Sequence, residues 1–377
     1  MDRKEIRIKI ILVANTSWYL FNFRSPLIKE LIFRGYRVTA LSPSDSYATR
    51  FKKYGVKHID FKITRSGINP LEDVLLILKF VNIYKKHKPD VVQHFTIKPV
   101  IYGSIAARIA GIKYIYNMIP GLGYVFTGES FKKFWVRKIA QLLYRRSLSF
   151  SQHIYFQNNE DRNYFIKHRI VDLKKTSVVP GTGVDIDLFS PRRSHKENGV
   201  TFIVAARMLW DKGIKEFVEA AYSLRKKYNN VHFWLLGPVD LENPRGIAPE
   251  QLRAWSNDGV VKYHGMTDNV KSYLEKADVI VLPSFYREGI PLSLLEGAAM
   301  GMPIITTDFI GCREVVENGV NGLLIPIKNS EALAAAMEKF ILNPSLMSRM
   351  GVQSRKMAIA KFDSKKVVQN ILQHYPF

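Results

Sequence analysis

The sequence predicts an α/β protein made of two doubly wound parallel sheets that face a central cleft. Three observations lead there. Short β-branched runs alternate with segments of helical length along the chain. The alternation restarts once, after a Gly- and Pro-bearing stretch near the middle. The chain has 377 residues, which suits two domains better than one.

The first strand is read at 6–13. Polar Asn15-Thr16-Ser17 follows, then a helix carrying Pro26 near its start and ended by Gly35. Strands at 36–41, 56–61, 90–94 and 114–118 alternate with helices near 46–54, 71–86 and 99–110. The last strand of this half ends at 178–180. Gly181-Thr182-Gly183-Val184-Asp185 and the polar stretch 191–199 read as a linker. The second alternation has strands at 201–205, 231–236, 260–264, 279–282 and 304–307, with helices at 212–227, 249–255 and 292–300. The expected domains are therefore 1–185 and 195–362, with a final helix inside 363–377. Ligands of such sheets bind beyond the carboxyl ends of the strands, which should face the cleft.

Composition narrows the partners. The formal charge is +23. Residues 1–190 hold 32 Lys and Arg against 14 Asp and Glu, and 191–377 hold 24 against 19. The basic surface thus belongs to the first half and attracts phosphorylated substrates or anionic lipid. Cys312 is the only cysteine, so no intrachain disulfide forms, which fits the cytoplasm. The first residues do not read as a signal peptide, and no run reaches the ~20 apolar residues of a membrane span.

Two stretches carry chemistry. Pro283-Ser284-Phe285-Tyr286-Arg287-Glu288-Gly289-Ile290-Pro291-Leu292 follows an apolar strand and opens a helix that holds Glu296. Gly289 admits a close ligand, and the helix start suits phosphate. A carboxylate at Glu296 can accept from vicinal ribose hydroxyls, and Glu288 on the loop can meet sugar hydroxyls. The second stretch is Ala206-Arg207-Met208-Leu209-Trp210-Asp211-Lys212-Gly213. Arg207 and Lys212 bracket a loop where two cations can meet a diphosphate. They would stabilise the charge that grows on it as a glycosidic bond breaks, without a metal.

Together these residues resemble glycosyltransferase family 4, retaining enzymes of the two-domain GT-B fold. The resemblance spans the chain and is strongest from about 180 to 326. Gly183-Val184-Asp185 with Phe189 and Pro191 matches the interdomain signature. Arg207 and Lys212 match the diphosphate-binding pair. Glu288 and Glu296 match the two glutamates that face donor sugar and ribose. Asn318-Gly319-Val320-Asn321-Gly322 matches the stretch that closes the donor domain. The first half departs from the pattern. Asn15-Thr16-Ser17 stands where many relatives have a Gly pair, and Pro120 stands where many have a His.

The branch it resembles most extends undecaprenyl-diphosphate-linked sugars in bacteria, and includes α-1,3-N-acetylgalactosaminyltransferases. The likeness rests on Phe23-Arg24-Ser25-Pro26, Gly121-Leu122-Gly123, Trp210-Asp211-Lys212-Gly213 and Glu288-Gly289-Ile290-Pro291. It implies a UDP-sugar donor and no metal or other cofactor. The acceptor would be a polyprenyl-diphosphate sugar, contacted by Asn15, Arg24, His94, Lys98, Gly121 and Gly123. The final helix is implied to cross back onto the first domain.

Lys132, Lys133, Phe134, Trp135, Arg137, Lys138, Arg145 and Arg146 interleave aromatics and cations at helical spacing. That suits an interfacial helix on the anionic cytoplasmic face of an inner membrane. No nucleic-acid motif is present, so nucleic acid is not an expected partner. Two rival readings exist: a nucleotide-sugar epimerase on the same fold, and a basic membrane-binding module without activity.

Overall fold

The computed structural model describes residues 8–63, 69–122, 126, 131–191 and 199–376, the side chains of 131–133 excepted. The chain divides into two compact units, Met1–Thr182 with Val367–Phe377, and Gly183–Lys366.

Unit 1 is built on β1 (Lys9–Val13), β2 (Arg37–Ser42), β3 (Lys57–Asp60), β4 (Val91–Phe95), β5 (Tyr114–Ile119), β6 (His153–Phe156) and β7 (Thr176–Val178). All pairings are parallel, in the order β3-β2-β1-β4-β5-β6-β7. Strand order reverses between β1 and β4, the point where such sheets bind ligands. Every residue of β4 is buried, as helices on both faces of a parallel sheet require. Thr16 caps the helix Ser17–Phe33 by accepting from the Tyr19 amide. Asn69 caps Pro70–His87, with Pro70 in the first turn where its missing N–H is harmless.

Two helices differ from expectation. The segment near 46–54 is a 3-10 helix, Ala48–Tyr54. The helix at 99–110 opens as a wide π turn, Pro99–Gly103, before the α-helix Ser104–Ile109. The His94 ring occupies the space at that turn. A Cβ on Gly103 would lie 2.6 Å from His94 Cδ2.

The last helix, Ser364–Leu372, joins the core of unit 1. Val367, Val368, Ile371 and Leu372 are buried with Leu20, Leu31 and Tyr36. Tyr155 donates its hydroxyl hydrogen bond to the Ile371 carbonyl at 2.7 Å, and Tyr116 to that of His374 at 2.7 Å. The Tyr375 ring stacks on Tyr116 with centroids 4.5 Å apart.

Unit 2 repeats the plan with β8 (Val200–Ala205), β9 (Val231–Leu236), β10 (Lys262–Tyr263), β11 (Val279–Leu282), β12 (Ile304–Thr307) and β13 (Gly322–Ile325). The order is β10-β9-β8-β11-β12-β13, again all parallel. Here β8 and β11 flank the reversal. The strand expected at 260–264 is only the two-residue edge β10.

Within unit 2 two main-chain bonds join the segments that begin and end it. The Val184 amide donates to the Phe362 carbonyl at 2.8 Å, and the Ser364 amide to that of Val184 at 2.9 Å. Gly183 has a φ of +71°, and a Cβ there would stand 2.5 Å from Ser364 Cα. Gly183→Ala should therefore cost at least ~1 kcal/mol from the left-handed backbone alone. A thermal unfolding midpoint that does not fall would contradict this account of the crossing.

Candidate functional site

In unit 2, β8 and β11 are neighbours, so the loops at their carboxyl ends meet. The loop after β8 turns into its helix, Ile214–Arg225, through Gly213, whose φ is +74°. A Cβ on Gly213 would lie 2.1 Å from the Pro283 carbonyl oxygen, so only glycine lets the two loops touch. The Phe285 amide then donates to the Asp211 carbonyl at 2.9 Å, closing the contact.

This contact gathers the charged side chains. Lys212 is buried, and its ammonium ion-pairs with Glu288 Oε1. Ser284 Oγ donates to the same oxygen at 3.3 Å. The Lys212 Nζ also stands 5.4 Å from the centre of the Tyr286 ring. Burial pushes the Tyr286 hydroxyl above its ordinary pKa, with the nearby Arg207 charge acting against it. Arg207 Nη1 is 2.8 Å from Asp240 Oδ2. Asp240 is placed by the loop after β9, which lies along the loop after β8. Met208 donates to the Pro238 carbonyl at 2.9 Å, and Ile247 to that of Met208 at 2.9 Å. Arg245 clamps Asp211 Oδ1 from Nε at 2.9 Å and Nη2 at 2.7 Å.

The second loop leads into the helix Leu292–Ala299. Pro291 occupies its cap, Leu292 begins it, and Ile290 is buried. Gly289 is pinned from behind: a Cβ on Gly311 would meet the Gly289 carbonyl at 2.0 Å. Glu296 lies in the second turn of the helix, and burial pushes its carboxyl up to about 8. Its carboxyl makes no hydrogen bond or ion pair among the described residues, while it keeps partial solvent contact. A group that donates hydrogen bonds to it would favour its ionised form.

Arg207, Lys212 and Glu288 are thus brought together, each cation matched by one carboxylate. Sequence reasoning missed Asp240 and Tyr286. Asp240 lies on a loop whose contact partner is 33 positions away. Tyr286 lay inside the motif, but nothing in its spacing shows that its ring faces the Lys212 ammonium.

In unit 1 the expected acceptor residues divide. Asn15 follows β1, Lys98 follows β4 and Gly121 follows β5, all at carboxyl ends of adjacent strands and all partly exposed. Lys98 is held by Asp73 at 3.3 Å, and Tyr102 donates to the same carboxylate at 2.7 Å. Gly123 lies outside the described residues. His94 and Arg24 need correction as contacts for a ligand, because both are interior. His94 is wholly buried, 2.9 Å from Tyr84 Oη and 3.1 Å from Asn117 Oδ1. Burial lowers its pKa to about 3, so the ring is neutral. Arg24 is 2% exposed, hydrogen-bonded to Tyr19 and stacked 4.6 Å above the Phe95 ring.

The helix Phe131–Leu148 shows Phe134, Trp135, Lys138, Ile139, Leu142, Arg145 and Arg146 on its outer face. Arg145 is also bound to the carbonyls of Arg169 and His168 at 2.9 and 2.8 Å. Arg137 is half-buried, and the side chains of Lys132 and Lys133 lie outside the described residues. A second apolar stripe, Leu71, Val74, Leu75 and Leu78, is exposed on Pro70–His87. Sequence spacing missed it because that helix is apolar on nearly all sides near its start. Among the described residues no helix is long and apolar enough to cross a membrane.

Comparison with known proteins gives the family. A model for glycosyl transferases group 1 matches residues 199–343, and one for glycosyl transferase 4-like domains matches 9–158. The chain is a GT-B glycosyltransferase of these two families. This glycosyltransferase is 29% identical to the N,N′-diacetylbacillosaminyl-diphospho-undecaprenol α-1,3-N-acetylgalactosaminyltransferase of Campylobacter jejuni, over 98% of each chain. It is 27% identical to the UDP-Gal:α-D-GlcNAc-diphosphoundecaprenol α-1,3-galactosyltransferase of Escherichia coli, over 82% of this chain and 81% of that one. Among solved structures it is similar to Anabaena HepE in complex with UDP, with a TM-score of 0.76 at 20% identity over 97% and 99% of the two chains.

The raised carboxyl of Glu296 fixes a sign. Its folded pKa, about 8, exceeds the ordinary 4.5, so the folded state holds the extra proton. The contribution of this group to stability therefore falls as pH rises from 4.5 to about 8 and then levels. Glu296→Gln should unfold at a higher temperature than wild type at pH 9, with the difference shrinking toward pH 5. A difference independent of pH would contradict the burial of this group.

Proposed function

We propose that this glycosyltransferase moves a hexose or N-acetylhexosamine from a UDP-sugar to a polyprenyl-diphosphate-linked sugar. N-acetylgalactosamine in α-1,3 linkage is the preferred assignment, in the assembly of a bacterial surface or protein-linked glycan. One observation carries the reading: Arg207, Lys212 and Glu288 converge where the loops after β8 and β11 meet. The names of the two bacterial relatives support the substrate class.

In this reading unit 2 takes the donor. The diphosphate lies on Arg207 and Lys212, and their fixed charge stabilises the anion that grows as the glycosidic bond breaks. Glu288 tethers Lys212 and offers its second oxygen to a sugar hydroxyl. Glu296 accepts from the ribose hydroxyls. The sugar keeps its anomeric configuration: the acceptor attacks the face from which UDP departs, and the leaving diphosphate takes the acceptor proton. No metal takes part. Asn15, Lys98 and Gly121 of unit 1 meet the acceptor.

The lipid tail of such an acceptor stays in a bilayer, so the enzyme works on the cytoplasmic membrane face. Two exposed apolar stripes with cations beside them support this. Trp135 and Leu142 are 54% and 64% exposed on one helix, and Leu71 is 78% exposed on the other. Such faces bind anionic lipid reversibly.

Four outcomes check the proposal. Arg207→Ala and Lys212→Ala should each weaken turnover by about 10²–10³, the loss typical of one preorganised donor. Activity should survive EDTA, and a loss that Mg²⁺ restores would refute the metal-free step. Calorimetry of UDP binding at pH 7 in buffers of different ionisation heat should show about one more proton released by wild type than by Glu296→Gln. Equal release would remove Glu296 from the ribose. Finally, changing Lys132, Lys133, Arg137, Lys138, Arg145 and Arg146 to Gln should free the protein from anionic vesicles without altering UDP affinity. Equal sedimentation of wild type and variant would place docking elsewhere.

A further inference from the structure

A groove of about 470 Å³ opens between two helices of unit 1, and none of its walls belongs to the donor or acceptor residues described above. Ile105, Arg108 and Ile109 line it from the helix Ser104–Ile109, where that spacing puts all three on one face. Arg146 and Phe150 line it from the end of Phe131–Leu148 and the turn after it. The Arg146 guanidinium lies 5.0 Å from the centre of the Phe150 ring. An apolar track leads into the groove. Trp135, Ile139 and Leu142 are exposed, and positions 135, 139, 142 and 146 share one side of their helix. From 135 to 146 that side runs for roughly 16 Å at the helical rise.

The two arginines of the groove are exposed, and neither side chain makes a hydrogen bond or ion pair among the described residues. Other cations of these elements are tied down: Arg145 donates to two carbonyls, and Lys98 pairs with Asp73. Phe150 offers Arg146 only a ring face, which attracts a guanidinium without neutralising it. The sequence supplies no counter-charge either. Residues 91–159 hold nine Lys and Arg and a single carboxylate, Glu129. Two like charges on one groove repel until an anion lies between them. Phosphate is an anion whose oxygens the guanidinium fork fits. Ile105, Ile109 and Phe150 call for hydrocarbon beside it, and the track from Leu142 to Trp135 calls for more. The ligand that satisfies both demands is a phosphate with an apolar tail.

We propose that this groove binds one anionic phospholipid, its phosphate between Arg108 and Arg146 and its first methylenes against Ile105, Ile109 and Phe150. The proposal deepens the membrane reading above and rests on it for the source of the lipid. It turns a basic, apolar face into a defined lipid site, and it brings in Arg108 and Ile109, which the interleaved pattern of Phe131–Leu148 does not include.

The probe is dihexanoyl phosphatidylglycerol, held below its micelle concentration and titrated into the full chain by calorimetry. Wild type should bind it saturably, one molecule per chain. Arg108→Gln and Arg146→Gln should each weaken binding about tenfold, the scale of a hydrogen bond to a charged group. Ile109→Ser should weaken it at least about fourfold, the worth of one buried methylene. Lys29→Gln removes a cation of the helix Ser17–Phe33 and should bind like wild type. Neither arginine holds another side chain, so unfolding midpoints and UDP affinity should stay unchanged in both Gln variants. An equal loss in Lys29→Gln would reduce the effect to general attraction by a basic unit and overturn the proposal. So would arginine variants that bind like wild type, or inorganic phosphate that binds as tightly as the lipid. The groove and the wider docking face fail separately. Wild type that sediments with anionic vesicles yet shows no saturable binding of the monomeric lipid loses the groove and keeps the face. Saturable binding of the monomer by a protein that ignores vesicles keeps the groove and removes the face.

Discussion

The donor half of this protein depends on one close approach, the packing of Gly213 against the Pro283 carbonyl. It is possible because β8 and β11 are adjacent and because residue 213 has no Cβ. Once the loops touch, the Asp211 carbonyl and the Phe285 amide bond, and the Lys212 side chain is driven inside. A buried ammonium without a partner is costly, so Glu288 must sit beside it. The site's electrostatics thus follow from a steric fact about one glycine.

Charge matching continues outward. Arg207 has Asp240, and Asp211 has Arg245. The Arg207 and Arg245 pairs are partly exposed, so each adds little to stability. Their effect is on geometry: they hold long, rotamer-rich side chains in one arrangement before a ligand arrives. Glu296 is the exception. It has no partner among the described residues, and burial holds its proton on. A half-buried carboxyl without a partner is a poor structural element but a suitable acceptor for hydroxyls that a ligand brings.

Much of the fold could be read from the sequence. β9, β11 and β12 have the bounds expected of them, because each is a short apolar run between polar or turn-forming residues. β10 is shorter than its apolar pattern, since an edge strand has one partner and its ends go unpaired. The interior was less legible. His94 and Arg24 look like site residues in the sequence, at a strand end and near an expected helix start, although Arg24 lies in the third turn of Ser17–Phe33. Yet β4 is covered on both faces, so polar side chains there turn to internal partners: Tyr84 and Asn117 for His94. Arg24 is taken up by Tyr19 and Phe95 in the same way. Asp240 and Tyr286 went unseen because their roles come from loop contacts that no periodicity encodes.

The most direct test is the release of free UDP from a panel of UDP-sugars, UDP-N-acetylgalactosamine among them, with and without polyprenyl-diphosphate-linked sugars. UDP should form only when such an acceptor is present, in step with a lengthened lipid-linked glycan. Conversion of one UDP-sugar into another, or UDP release that ignores every acceptor in the panel, would contradict the account.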